Sequence, residues 1–66
     1  MKVKDIAYIT KLNVDFIITD TYGHELAKGN SYDIYNKYPK YLFKDVESVD
    51  VEGGTIKLML DFKVEA

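Results

Sequence analysis

From Ile56 onward every second residue is apolar, through Leu58, Leu60, Phe62 and Val64. A period of two is the spacing at which a pleated strand presents one face, so this run predicts a strand with a single buried side. Upstream, Val49 and Val51 alternate in the same way, and Glu52-Gly53-Gly54-Thr55 between the two runs reads as a two-residue hairpin loop. With Gly53 and Gly54 as the loop, Val51 opposes Ile56 and Val49 opposes Leu58 on one face. Asp50 then opposes Lys57, and Ser48 opposes Met59, on the other.

The rest of the chain must supply what covers that face. Val3, Ile6, Ala7 and Thr10 recur at spacings of three and four, which predicts a helix over residues 2–11. From Leu12 the period falls to two (Leu12, Val14, Phe16, Ile18), predicting a strand. Asp20-Thr21-Tyr22-Gly23 reads as a turn, and His24 to Lys28 as the return strand. In that register Asp20 faces His24, Ile18 faces Leu26 and Ile17 faces Ala27. Gly29-Asn30-Ser31 breaks the strand and offers helix caps, and Pro39 stops the next helix after one or two turns. Of the residues that follow, Ile34, Tyr38 and Leu42 are expected to pack on the sheet, and Tyr41-Leu42-Phe43 to drop into the core as the chain crosses to the next strand. The order is α-β-β-α-β-β, an α+β fold in which a small antiparallel sheet of two β-hairpins carries two short helices on one face. With 66 residues the whole chain, 1–66, is expected to form a single domain.

Length and composition also exclude chemistry. There is no cysteine and only one histidine, so neither a disulfide framework nor a zinc site of Cys and His can be built. No catalytic residue, metal or cofactor is expected. Gly53-Gly54 lacks the spacing and the Lys-Ser/Thr of a phosphate loop. His24 beside Asp20 is the one pair with an acid–base look, and its plainer meaning is a hairpin residue with a favourable charge neighbour. The acids Asp45, Glu47, Asp50, Glu52, Asp61 and Glu65 follow strand alternation rather than a calcium-loop pattern, which spreads them along a solvated face. That face is also a candidate for engaging a basic surface. No stretch approaches the roughly 20 apolar residues that cross a bilayer. The first residues lack the apolar core of a secretory signal, so a cytoplasmic location without membrane contact is expected.

The formal net charge is -2, unevenly distributed: residues 31–44 carry three Lys against one Asp, and residues 45–66 two Lys against six acids. The densest cluster of binding-type side chains lies in the basic stretch, where Tyr32, Tyr35, Tyr38, Tyr41 and Phe43 interleave with Lys37, Lys40 and Lys44. Aromatics among lysines can stack bases. Yet all nine basic residues are Lys, and Arg, the usual bidentate reader of bases and phosphates, is absent. Packing therefore ranks first for this segment, a protein interface second and nucleic acid third. The interface reading rests on Tyr32, Tyr35, Lys37, Lys40 and Tyr41, with the acidic strand region 45–52 as a second candidate. Ile17, Ala27 and Met59, opposite the main apolar rows, together with Tyr8 and Ile9, leave apolar surface that a homodimer would cover.

Val3-Lys4-Asp5-Ile6, Phe16-Ile17-Ile18 with its Asp20-x-x-Gly23 turn, and Val46-x-Ser48-Val49-x-Val51 ahead of Ile56-x-Leu58-x-Leu60 form a recognisable pattern. It resembles the small acidic proteins encoded by phages and prophages of A·T-rich Gram-positive bacteria. The resemblance implies a compact α+β domain acting in the host cytoplasm. It transfers no catalytic residue. The function expected is a non-enzymatic interaction module that binds a host or phage protein, inhibition of a defence protein being one form of it. The alternative is a small nucleic-acid or nucleotide binder using residues 32–44.

Overall fold

The computed structural model describes residues 1–61. Its elements are α1 (Val3–Ile9), β1 (Asp15–Thr19), β2 (Glu25–Asn30), α2 (Ser31–Lys37), a single 3-10 turn (Pro39–Tyr41), β3 (Val46–Glu52) and β4 (Thr55–Leu60). The order is the expected one, and the fold is α+β. The sheet departs from expectation in one respect. Its strand order is β2-β1-β4-β3, both hairpins are antiparallel, and β1 and β4 run parallel in the centre. The sheet is therefore mixed, not wholly antiparallel. The two strands with the strongest apolar alternation take the middle, where both edges are paired, and the more polar β2 and β3 take the outside.

The register lines up residues across all four strands. One row runs Ala27, Ile18, Leu58, Val49, and the next Gly29, Phe16, Ile56, Val51. On this face Phe16, Ile18, Ala27, Leu58 and Leu60 are buried with Val3, Ile34, Tyr41 and Leu42 from the covering layer. The opposite face carries Lys28, Ile17, Lys57 and Asp50 in one row and is left to solvent and half-burial. The C-terminal hairpin has the anticipated pairs Val51–Ile56, Val49–Leu58, Asp50–Lys57 and Ser48–Met59. The alternation at Phe62 and Val64 lies outside the described residues.

The N-terminal hairpin differs from the sequence reading. Ile18 opposes Ala27 and Ile17 opposes Lys28, with an irregularity between Ile18 and Thr19. The bulge admits one extra residue on β2, which turns Ala27 into the core beside Ile18 instead of placing it across from Ile17. Leu12 also leaves its expected strand. The helix ends at Ile9 because Thr10 takes extended angles and its hydroxyl donates back to the Ile6 carbonyl (2.6 Å). A turn closed by Val14 N–H to Lys11 O then delays the strand to Asp15.

Two devices fix the helices over the sheet. The first four residues pair with the approach to β3, through Val46 N–H to Met1 O (2.8 Å), Val3 N–H to Lys44 O (3.2 Å) and Lys4 N–H to Leu42 O (2.9 Å). At α2, the Asn30 side chain accepts from Asp33 N–H (3.0 Å) while the Asp33 carboxylate accepts from Asn30 N–H (3.3 Å), a reciprocal cap. Gly29 allows this cap to form. Its φ is +140, and a Cβ there would sit 2.7 Å from the Asp33 side chain.

Candidate interaction surfaces

The helix layer brings together part of the tyrosine–lysine segment. Tyr32, Tyr35 and Lys37 are exposed on α2, and Lys40 is exposed on the following 3-10 turn. The Tyr35 hydroxyl donates to the Lys4 carbonyl of α1 at 3.4 Å. Tyr41 lies elsewhere. It is 8% exposed, belongs to the core cluster, and tilts against Tyr38 with ring centroids 6.4 Å apart. The reason is geometric: Pro39 starts a 3-10 turn, which points Tyr41 and Leu42 inward together, whereas Phe43, expected in the core with them, stays exposed with the Lys4 ammonium 5.8 Å from its ring. Lys40 keeps its ammonium 5.1 Å from the Tyr41 ring centroid, a cation–π contact at the rim of the core. Ile34 and Leu42 are buried and Tyr38 packs against the core, as the spacing predicts.

Beside Tyr35 an open cleft of about 410 Å³ runs between the helices, lined by Lys4, Asp5, Tyr8, Ile9 and Tyr35. Tyr8 is 82% and Ile9 79% exposed, so the last turn of α1 offers an aromatic and an aliphatic side chain to solvent at the cleft wall. The signal for these two was present in the sequence. Val3 and Ala7 hold the buried stripe of α1, and Tyr8 and Ile9 fall off it.

The turn between β1 and β2 contains the Asp20–His24 pair. Asp20 is fully shielded, and its Oδ1 accepts from Tyr22 N–H (2.9 Å) and His24 N–H (2.9 Å). Its Oδ2 lies 3.0 Å from Nδ1 of His24, whose ring is largely exposed. Burial by itself raises the Asp20 carboxyl. The hydrogen bond from the His24 backbone, the His24 ring and the Tyr22 backbone outweigh it and hold the group below the ordinary carboxylate value. The same turn is tied to β4, where the Thr21 hydroxyl donates to Leu60 O (2.9 Å). Every polar atom of Asp20 thus serves the turn, which favours the plain reading of the pair. Among the described residues no three His, Asp or Glu side chains converge on a metal position. No described helix is long and apolar enough to cross a membrane.

The third surface is β3. From Glu47 to Glu52 every residue is exposed, including the apolar Val49 (45%) and Val51 (67%). Across the row Ala27, Ile18, Leu58, Val49 exposure stays near zero for three residues and rises only at the last. The helices cover β2, β1 and most of β4, and stop short of β3. No family model, curated protein or solved structure matches the chain.

Proposed function

We propose that the protein is a non-enzymatic protein-binding module and that the outer face of the α1–α2 pair is its contact surface. The observation that carries this reading is the cleft with Tyr8, Ile9 and Tyr35 on its walls and the charged Lys4 and Asp5 beside them. Large side chains with few rotatable bonds, set around a concavity and rimmed by charge, suit a desolvated anchor site ringed by polar contacts. Tyr41 supports the surface from below. Its burial reduces the aromatic set open to stacking with bases, so the nucleic-acid alternative for residues 32–44 ranks below a protein partner. The resemblance to phage proteins makes a protein of the bacterial host the partner to test first, an inhibited defence enzyme among the candidates.

Affinity capture from a bacterial lysate with the tagged wild type and with Tyr8→Ala/Tyr35→Ala tests this. The double variant is expected to lose the captured protein while keeping the wild-type far-ultraviolet spectrum. Equal capture by both proteins overturns the assignment of the surface. Capture of nucleic acid alone, disappearing as salt rises, replaces the protein partner with the nucleic-acid reading.

A further inference from the structure

We propose that the free edge of β3 is a strand-addition site for an extended segment of another protein in which apolar residues alternate with Lys or Arg. This site is separate from the helical cleft and does not depend on it.

Three observations carry the inference. The first is topology: among the described residues β3 pairs along its length with β4 alone, and beyond Val46, whose N–H donates to Met1 O beside the Lys2–Asp45 bridge, its outward peptide groups face no neighbouring strand. The other edge, β2, is differently placed. It leads directly into α2, and it holds Ala27 buried and Leu26 half-buried against the core. The second is the core-side face of β3, where Val49 extends a row buried through Ile18 and Leu58, and Val51 a row that passes from buried Phe16 to half-buried Ile56, before both run out of cover. An added strand with apolar side chains on that face would continue those rows.

The third observation is charge, and it selects the occupant. On the opposite face β3 presents Ser48, Asp50 and Glu52, and Glu47 lies at the irregularity between Val46 and Ser48. Lys57 is the one cation of β3 and β4, and its Nζ lies 3.4 Å from Glu52. Among the described residues Glu47 and Asp50 make no ion pair. An incoming strand therefore meets apolar side chains on one face and an acidic surplus on the other. Its complement alternates apolar and basic residues. The same surplus disfavours a second copy of this chain, because joining two β3 edges would bring six carboxylates onto one seam.

The test is titration of isotope-labelled protein with a synthetic peptide of alternating Val and Lys, about eight residues long to match an ordinary strand. Amide shifts concentrated at residues 46–52 are expected. Asp50→Lys is expected to weaken binding about fivefold or more, as is reversing the peptide to alternating Val and Glu. Methylating alternate peptide nitrogens removes the ladder donors and is expected to abolish the shifts. Asp50→Asn, which keeps the side-chain shape, gives a smaller loss in the same direction and serves if Lys disturbs the hairpin. Absence of shifts at β3, or equal binding of the Glu peptide or the methylated peptide, overturns the proposal. Shifts at Tyr8, Ile9 and Tyr35 instead would move the peptide to the helical cleft, overturning the edge assignment and leaving the cleft reading standing. A dimer mass without peptide, lost on Asp50→Lys, would make the occupant a second copy and overturn it too.

Discussion

The two hairpins solve the same problem with different materials. The β1–β2 hairpin is closed by a side chain, with Asp20 accepting two backbone N–H groups and the His24 ring, and α2 folds back over its return strand. The β3–β4 hairpin is closed by backbone alone, with Gly53 and Gly54 at φ values of 58 and 82 that match a turn needing two left-handed residues. One hairpin puts both of its strands into the core, through Phe16, Ile18 and Ala27, while the other contributes β4 and leaves β3 outside beyond Val46. The difference teaches where a 66-residue chain concentrates its burial. Two short helices cover about three strands, and the fourth is left as edge and surface.

The sharpest way to break this comparison is to remove equivalent positions from the two sides of one row. Phe16 is fully buried on β1, and Val51 is two strands away in the same row at 67% exposure. Phe16→Ala is expected to cost about 3–5 kcal/mol, the range for truncating a buried aromatic. A core this small supplies roughly 3–5 kcal/mol in total, so the variant should be largely unfolded at room temperature. Val51→Ala should stay within about 1 kcal/mol of wild type, because little apolar area leaves water there. Urea unfolding followed by circular dichroism reads both. A Val51→Ala loss comparable to that of Phe16→Ala would mean that the β3 face is covered and the comparison is false.

The turns differ in what the sequence can announce. Gly53-Gly54 between two alternating runs is a local signal, and the register it implies is the one found, pair by pair. The first hairpin carries its information elsewhere. The bulge brings Ala27 opposite Ile18 where Asp20 ties up the turn and α2 packs on β2, and the packing of α2 is a tertiary fact that the turn residues do not announce. The parallel pairing of β1 with β4 is likewise invisible in periodicity, since alternation says which face is buried and nothing about which strand lies alongside. At the candidate surface, the composition of residues 32–44 points to Tyr32 and Tyr35, which are exposed. It cannot separate them from Tyr41, which Pro39 turns into the core. Tyr8 and Ile9 are legible as the residues left off the stripe of α1, and only the packing of α1 beside α2 makes them walls of a cleft.

A second prediction uses the glycines. Gly29→Ala places a methyl 2.7 Å from the Asp33 side chain at a φ of +140, so the cap of α2 must shift and the backbone is strained. The expected cost is on the order of 1–3 kcal/mol, the range for a residue forced into a sparsely populated conformation. Gly53→Asn, at a φ of 58 with nothing within 4 Å of the added Cβ, should be close to neutral because Asn tolerates the left-handed region. Thermal melts of the two variants compare the hairpins directly. Equal melting temperatures would show that the reciprocal cap at Asn30 and Asp33 contributes nothing measurable.

The most specific effect belongs to the acid limb of stability. The Asp20 carboxyl is held below its ordinary value in the folded protein, where burial is outweighed by hydrogen bonds from His24 and Tyr22. In the unfolded chain it returns to about 3.9. Between those two values the unfolded state binds more protons than the folded one, so stability rises with pH there. The contribution is complete above the unfolded value and disappears as pH falls through the folded one. Asp45 behaves in the same direction for a different reason: the Lys2 ammonium 2.7 Å away donates a hydrogen bond to it and attracts it, at a solvent-exposed site at the foot of the other hairpin. Asp20→Asn keeps an oxygen for the two N–H groups and removes the charge together with the acceptor that faces the His24 ring. It should therefore flatten the fall in urea midpoint as pH drops from about 5 through the folded value, while leaving the fold intact. Asp45→Asn should flatten the same limb, and its effect alone should shrink in added salt, because exposed pairs are screened and shielded ones are not. If raising the salt erases the Asp20 effect as readily as the Asp45 effect, the first turn is no better shielded than the second hairpin's ion pair, and the contrast between a turn clamped from inside and a hairpin held at its surface fails.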